Sequence, residues 1–186
     1  MKPPLIQSER LTLDAFTPDD APLVFEYVDD AELQRFIPVP VPYTRPHAEH
    51  YVGAYATAAE ANPGMALWAV RENGELVGAL ELRIEGTTSG DFGFWVGKPH
   101  RGRGIMTEAI GMLAEYSFDP LGLDLQRLTW SAAAENWASA TVVRRNGFTF
   151  EGTRRLGLEI RERRVDAWVA SLLRTDPREP VDGWPL

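Results

Sequence analysis

Period-two apolar stretches interleaved with helical ones, an Asn-Gly pair between two apolar runs, and a glycine-arginine loop where a strand gives way to a helix together predict one α/β domain. Arg10–Phe16 alternates Leu11, Leu13 and Ala15 with polar residues, the pattern of a half-buried strand. Thr17-Pro18-Asp19-Asp20 then opens a helix, with a hydroxyl at the N-cap, proline at the first helical position and acids in the first turn. Leu23, Val24, Tyr27 and Val28 form its apolar face. Pro38, Pro40 and Pro42 make Phe36–Pro42 an extended loop, because proline removes amide donors and clashes with a continuing helix. A second helix starts at Thr44, runs through His50–Ala61 and is closed by Asn62-Pro63-Gly64.

Met65–Arg71 and Leu76–Ile84 read as strands of a hairpin turned at Asn73-Gly74. Gly90–Gly97 is a further strand, aromatic and apolar at its centre. Ile105, Ala109, Met112, Leu113 and Tyr116 recur at helical spacing. Leu125–Ser131 is a strand, and Trp137–Arg145 a short helix ended by Asn146-Gly147. Phe148–Leu156 and Arg164–Leu173 form a final strand pair. The expected organisation is a single domain over residues 1–175, with 176–186 a loosely ordered tail carrying Pro177, Pro180 and Pro185.

The 186 residues are 44% hydrophobic and 25% charged, which excludes a disordered or collagen-like chain. No apolar run approaches the length of a membrane span, and MKPPLIQSERL has no apolar core ahead of its first charges, so neither a transmembrane helix nor a secretory leader is expected. The absence of cysteine removes disulfide scaffolds, zinc ribbons and thiol catalysis. A net charge of −8 argues against a nucleic-acid surface. The expectation is a cytoplasmic protein, monomer or homodimer, with no nucleic-acid or membrane partner. Residues 1–64 hold four Lys/Arg against ten Asp/Glu, so the first third is strongly acidic.

Phe92–Glu108 is the most informative segment. A strand ends, Lys98, Arg101 and Arg103 accompany Gly102 and Gly104, and a helix begins with Thr107 in its first turn. Glycines let backbone amides approach an anion closely, and a helix N-terminus adds unpaired N–H groups with a partial positive charge. The string matches neither G-x-x-x-x-G-K-[ST] nor G-x-G-x-x-G, since position 107 is Thr. A cradle for a pyrophosphate competes with a plain solvated turn on these residues alone.

Arg101-Gly102-Arg103-Gly104-Ile105-Met106 follows the pattern [RQ]-x-x-G-x-[GA] of the GNAT acyl-CoA N-acyltransferases, with Met at its last position. A second segment, Asn136 through Gly147-Phe148, is similar to that family's N-x-x-[AS]…[KR]-x-G-F stretch. The longer string from Phe94-Trp95-Val96 to Thr107-Glu108-Ala109 resembles the RimJ/RimL branch, which acetylates the N-termini of ribosomal proteins. The likeness covers about residues 8–173. It implies a GNAT fold: a mixed central sheet with helices on both faces, splayed between the fourth and fifth strands of this count, Gly90–Gly97 and Leu125–Ser131, around acetyl-CoA. Free backbone groups of Phe94, Trp95 and Val96 would pair with the pantetheine arm. Amides from Arg101, Gly102, Arg103 and Gly104 through Met106 and Thr107 would take the pyrophosphate, while Asn136, Ser139 and Arg145 line the far wall. No metal is implied.

The implied reaction is acetyl transfer to a primary amine, either a protein N-terminal α-amine or a small amine such as an amino acid, polyamine or antibiotic. A non-catalytic acyl-CoA-binding domain is the rival class. The backbone N–H of Val96 is the expected oxyanion donor. Many GNATs supply the departing thiolate's proton from a Tyr at the position of Val143 here; the RimJ/RimL branch instead has a Ser at position 139. Asn136 and Ser139 are equally the N-cap and first turn of a helix. Glu81 and Asp91, on central strands, are candidate bases. Glu159 is one residue off the branch's position, and a one-residue step flips a strand side chain to the other face. His47, His50 and His100 form no ligand set. The acids of residues 17–62 predict a negative mouth on the acceptor side and a preference for cationic acceptors.

Overall fold

The computed structural model describes residues 1–185; Leu186 lies outside the described residues. Eight strands form one sheet in the order β1-β2-β3-β4-β5-β6-β8-β7. They are β1 (Ile6–Gln7), β2 (Leu11–Asp14), β3 (Met65–Glu72), β4 (Glu75–Glu85), β5 (Ser89–Val96), β6 (Arg127–Ala133), β7 (Thr149–Ile160) and β8 (Arg163–Leu173). Every neighbouring pair is antiparallel except β5 and β6, which run parallel. The helices are α1 (Ala21–Val28), α2 (Ala31–Phe36), α3 (Arg45–His50), α4 (Ala56–Ala61), α5 (Ile105–Phe118) and α6 (Trp137–Arg145).

Strand alternation divides the sheet into two apolar faces. Trp68, Val70, Leu80, Leu82 and Phe92 point to α5 and α6, meeting Ile105, Ala109, Leu113, Ala140 and Val143. Ala69, Leu76 and Trp95 point to the opposite layer, meeting Val24 and Val28 of α1, Leu33 of α2 and Ala48 of α3. The central strands therefore read as nearly continuous apolar runs, because both faces are covered.

The parallel pair is where the sheet opens. Pairing of β5 with β6 runs from Ser89↔Arg127 to Phe92↔Trp130 and stops. Beyond it β5 stays with β4 as far as Gly78↔Val96, while β6 stays with β8 as far as Ala133↔Ala167. The two strands diverge and leave a wedge-shaped gap.

Four elements depart from the sequence expectations, the first being the two-residue strand β1, which pairs with β2 ahead of the first expected strand. Helix α2 falls in residues to which the sequence assigns no element, apart from Phe36, expected in the extended loop; only six residues long, it rests on Asp30, whose carboxylate accepts from Leu33 N–H at 3.2 Å. The second expected helix is present as α3 and α4, joined without a break by a wider turn at Tyr51–Tyr55. The β7–β8 hairpin extends to Ile160 and Arg163 and turns on Arg161 and Glu162, both left-handed (φ 48° and 64°) with no glycine or asparagine to announce it.

Residues 174–185 form no helix or strand, but they are held rather than loose. Trp184 is buried against Trp130 and Phe150, and its indole N–H donates to Phe148 O at 3.0 Å. Among the described residues no helix is long and apolar enough to cross a membrane.

Candidate active site

A cleft of about 350 Å³ lies between the end of β5, the start of α5 and the first turn of α6, and α2 closes its top. Its floor is the Arg101–Thr107 segment. Gly102 and Gly104 have φ of 72° and 76°, left-handed values that cost an L side chain 1–2 kcal/mol or so. A Cβ at either glycine would meet no atom within 4 Å, so the space above both is open to a ligand. Gly104 is the N-cap of α5 and offers no side chain, leaving the amides of the first turn uncapped. These features fit a pyrophosphate, held by amides and the helix dipole.

The arginines of this loop are already engaged. Arg101 is bound by Asp30 at 2.5 Å and Glu32 at 2.8 Å, so it fastens α2 over the cleft. Arg103 donates to Glu72 at 2.7 Å, and Glu72 also accepts from Arg10 at 2.7 Å. Hydrogen bonds from Arg10, with the charges of both arginines, hold the Glu72 carboxyl below its usual range. Arg145, exposed at the rim, has no carboxylate within 4.0 Å among the described residues. Met106 is buried over β4, where Gly78 makes room: a Cβ there would come within 2.4 Å of Met106 Cε.

On the far wall Asn136 and Ser139 satisfy both sequence readings. Asn136 Oδ1 accepts from Ser139 N–H at 3.2 Å, a helix cap, and both side chains line the cleft. Ser139 Oγ accepts from the buried Trp130 indole N–H at 3.1 Å. Because indole is a donor only, the serine's own proton remains for another acceptor.

Backbone direction divides the β5 residues that the family resemblance grouped together. Gly97 N–H donates to Val77 O at 2.9 Å across the β4 ladder. Antiparallel alternation then bonds Trp95 to Ala79 and turns the N–H and C=O of Phe94 and Val96 away from β4, toward the gap. Val96 and Phe94 thus present free backbone groups, whereas Trp95 presents only its side chain.

A second cavity of about 360 Å³ occupies the α1–α4 side of the gap and shares Ile37, Phe94 and Trp95 with the first. Tyr43, Tyr51 and Tyr55 form one wall, the latter two stacked at 5.5 Å, and Glu81 and Arg83 stand on the floor. Tyr55 OH donates to Glu81 Oε2 at 2.7 Å, and Arg83 binds the other oxygen. Burial pushes the Tyr43 hydroxyl up to about 12 and raises Tyr51 and Tyr55 as well, so all three stay protonated. Asp91 is held by Arg83 outside the cavity lining, and Glu159 pairs with Arg164 at 3.2 Å and lines neither cavity.

None of the eight acids expected to make a negative acceptor mouth lines this cavity. Asp20 is bound by Arg71 at 2.7 Å, and Asp30 and Glu32 by Arg101. Their charges were spent on holding α1 and α2. Tyr43, Tyr51, Tyr55 and the α2 residues Leu33 and Phe36 are site residues that sequence reasoning missed. Only the i, i+4 spacing of Tyr51 and Tyr55 hinted that they share a helix face. His100 also lines the first cleft, with its ring 2.9 Å from Tyr27 OH. His47 accepts from Thr44 N–H at 3.1 Å as a cap.

A sheet parted beside an uncapped helix N-terminus, with two cavities meeting at one strand, can seat an anionic ligand and a second molecule side by side. The chain belongs to the GNAT family: the family description "Acetyltransferase (GNAT) domain" matches residues 10–149. It is an acyl-CoA-dependent N-acetyltransferase. It is 25% identical over 177 residues to p20, an uncharacterised N-acetyltransferase of Bacillus licheniformis, spanning 92% of this chain and 97% of that protein. Its fold is similar to that of RimL, a ribosomal L7/L12 alpha-N-protein acetyltransferase solved with coenzyme A, at TM-score 0.79 and 22% identity over 91% of this chain and 98% of that one. RimJ of Mycobacterium smegmatis, solved with a CoA-disulfide, superposes at TM-score 0.81 and 23% identity over 92% and 88%.

Proposed function

We propose that this chain transfers the acetyl group of acetyl-CoA to a protein or peptide N-terminal α-amine by direct attack in a ternary complex, and that it does so in the cytoplasm, where acyl-CoA donors are found. The observation that carries this reading is the meeting of the two cavities at Phe94 and Trp95, where the sheet parts. An acyl donor on one side and an amine on the other reach the same strand, so positioning supplies much of the rate. The RimL and RimJ likenesses favour an α-amine by analogy of fold.

Each residue then has a task. Amides of the Arg101–Thr107 segment take the pyrophosphate, with Arg145 at the rim. The outward backbone groups of Phe94 and Val96 pair with the pantetheine arm, and Val96 N–H is the donor for the oxyanion as the amine attacks the thioester carbon. As the C–S bond breaks, Ser139 donates its hydroxyl hydrogen bond to the departing sulfur. Glu81 accepts the ammonium proton, directly or through water. An α-amine with a pKa near 7.7–8.0 is about one-tenth neutral at pH 7, so a weak base suffices.

The test is free-thiol release from acetyl-CoA with a panel of peptides bearing free or blocked N-termini and a panel of small amines. Turnover that requires a free peptide N-terminus is expected. Turnover confined to small amines overturns the acceptor assignment, and none with any amine leaves a binding domain.

A further inference from the structure

We infer that the acceptor chain leaves the acetylation cavity over Ser131 and Arg154, and that the enzyme selects N-termini followed by acidic residues. This rests on the N-terminal reading above. In a chain of net charge −8, the segment Thr149–Arg164 carries five arginines against three glutamates. The fold brings that segment to the rim of the acceptor cavity.

The placement follows from register. Gly93 lines the acceptor cavity. Continuing the β5–β6 register one step past Phe92↔Trp130 sets Gly93 opposite Ser131, at the first unpaired position of the gap. Both face the α1–α4 side, because Phe92 and Trp130 face α5 and α6. The Arg154 guanidinium donates to Ser131 Oγ at 3.2 Å, so it stands about one strand spacing, roughly 5 Å, from the cavity lining. Gly93 keeps the exit open: a Cβ there would meet only Arg83 Nη2, at 3.9 Å.

Arg154 has no carboxylate within 4.0 Å among the described residues. Arg163 has none either, and it lies on the same face, four residues along β8 from Ala167, the partner of Arg154. Four extended residues span about 13 Å, so one acceptor strand can meet both guanidiniums. Of the other charges, Arg83 holds Glu81 and Asp91, Arg127 holds Glu151 at 2.8 Å, Arg164 pairs with Glu159 at 3.2 Å, Glu162 is at the hairpin turn, and Asp166, on the opposite face of β8, accepts from Leu156 N–H at 2.8 Å. Arg161 donates to Gln34 O of α2, which fixes the hairpin against the mouth. Planar guanidiniums match carboxylates two bonds at a time, which favours Asp and Glu over other anions on the acceptor.

The experiment compares kcat/KM for two peptides with the same first residue, one with Asp and Glu at residues two to six and one with Lys there, at low and physiological ionic strength. The wild-type chain is run beside Arg154→Glu/Arg163→Glu and the milder Arg163→Glu alone. Exposed pairs being worth up to about fivefold each, a preference near tenfold for the acidic peptide is expected, narrowing with salt. The double variant is expected to lose it with the acetyl-CoA KM unchanged, and the single variant to lose part. Equal use of both peptides, or preference for the basic one, overturns the inference and leaves N-terminal acetylation standing. A preference that survives in both variants removes it from these arginines. Acetylation of small amines but of neither peptide overturns the N-terminal reading and this inference together.

Discussion

The Trp130 indole N–H donates to Ser139 Oγ at 3.1 Å, joining the strand on one side of the gap to the first turn of α6. Trp130 is buried, so the serine hydroxyl is held in one place with its proton directed away from the indole. Ser139→Ala is therefore expected to lower kcat about ten- to hundredfold while raising the acetyl-CoA KM much less, since the bond strengthens as charge develops on sulfur. Steady-state kinetics decide this. A loss confined to KM makes Ser139 a binding contact, and a wild-type rate reduces it to a helix-turn residue.

Gly104→Val puts a branched side chain at φ 76° into the open space over the uncapped α5 amides. Acetyl-CoA affinity, read by calorimetry, should fall well over tenfold with the circular dichroism spectrum retained. Arg101→Ala should cost less, because Arg101 is occupied by Asp30 and Glu32 and the amides carry the anion. An unchanged Kd in folded Gly104→Val removes the pyrophosphate from this loop.

Glu81→Gln keeps the Tyr55 contact and removes the charge. A drop in kcat/KM of about tenfold or more, largest below pH 8 where the amine arrives protonated, is expected, with the acetyl-CoA KM unchanged. A pH profile identical to wild type assigns the proton to water instead.

Arg71 holds Asp14 at 2.8 Å and Asp20 at 2.7 Å, linking β2, β3 and the start of α1. Burial by itself raises Asp20, but its hydrogen bonds to Arg71 and Thr17 outweigh that and set it below the usual 3.8; Asp14 is raised by burial despite Arg71. Arg71→Met leaves two carboxylates unpaired and should cost on the order of 3–5 kcal/mol at pH 7, read by thermal unfolding. Asp20's contribution is complete above 3.8 and is lost as pH falls through its lower folded value, while Asp14, shifted up, works the opposite way. The gap between wild type and variant should accordingly narrow on acidification through pH 4. A gap independent of pH makes the loss one of packing.

Much of the first cleft's lining was legible because it is local. The glycines, the helix start and the Asn136–Ser139 turn are each contiguous, and their chemistry follows from spacing that a helix or turn enforces within a few residues. The strands of the core were legible for the same reason, since alternation and the Asn73-Gly74 turn are short-range signals. The second cavity and the cover of the first were not. Tyr55 meets Glu81 across 26 residues in the second cavity, and Arg101 meets Asp30 across 71 over the first cleft.

The sequence by itself determined that this is an α/β chain in which a glycine-arginine loop leads from a strand into a helix, and it placed the glycines and arginines of that loop. Only the tertiary structure decided which charges remain to act. Asp20, Asp30 and Glu32, acidic in the sequence, are neutralised by arginines from distant strands and loops, whereas Arg154 and, farther along β8, Arg163 have no carboxylate within 4.0 Å among the described residues. Composition sums charges, but a field at a cavity depends on which pairs the fold brings within a few ångströms, where opposite charges cancel.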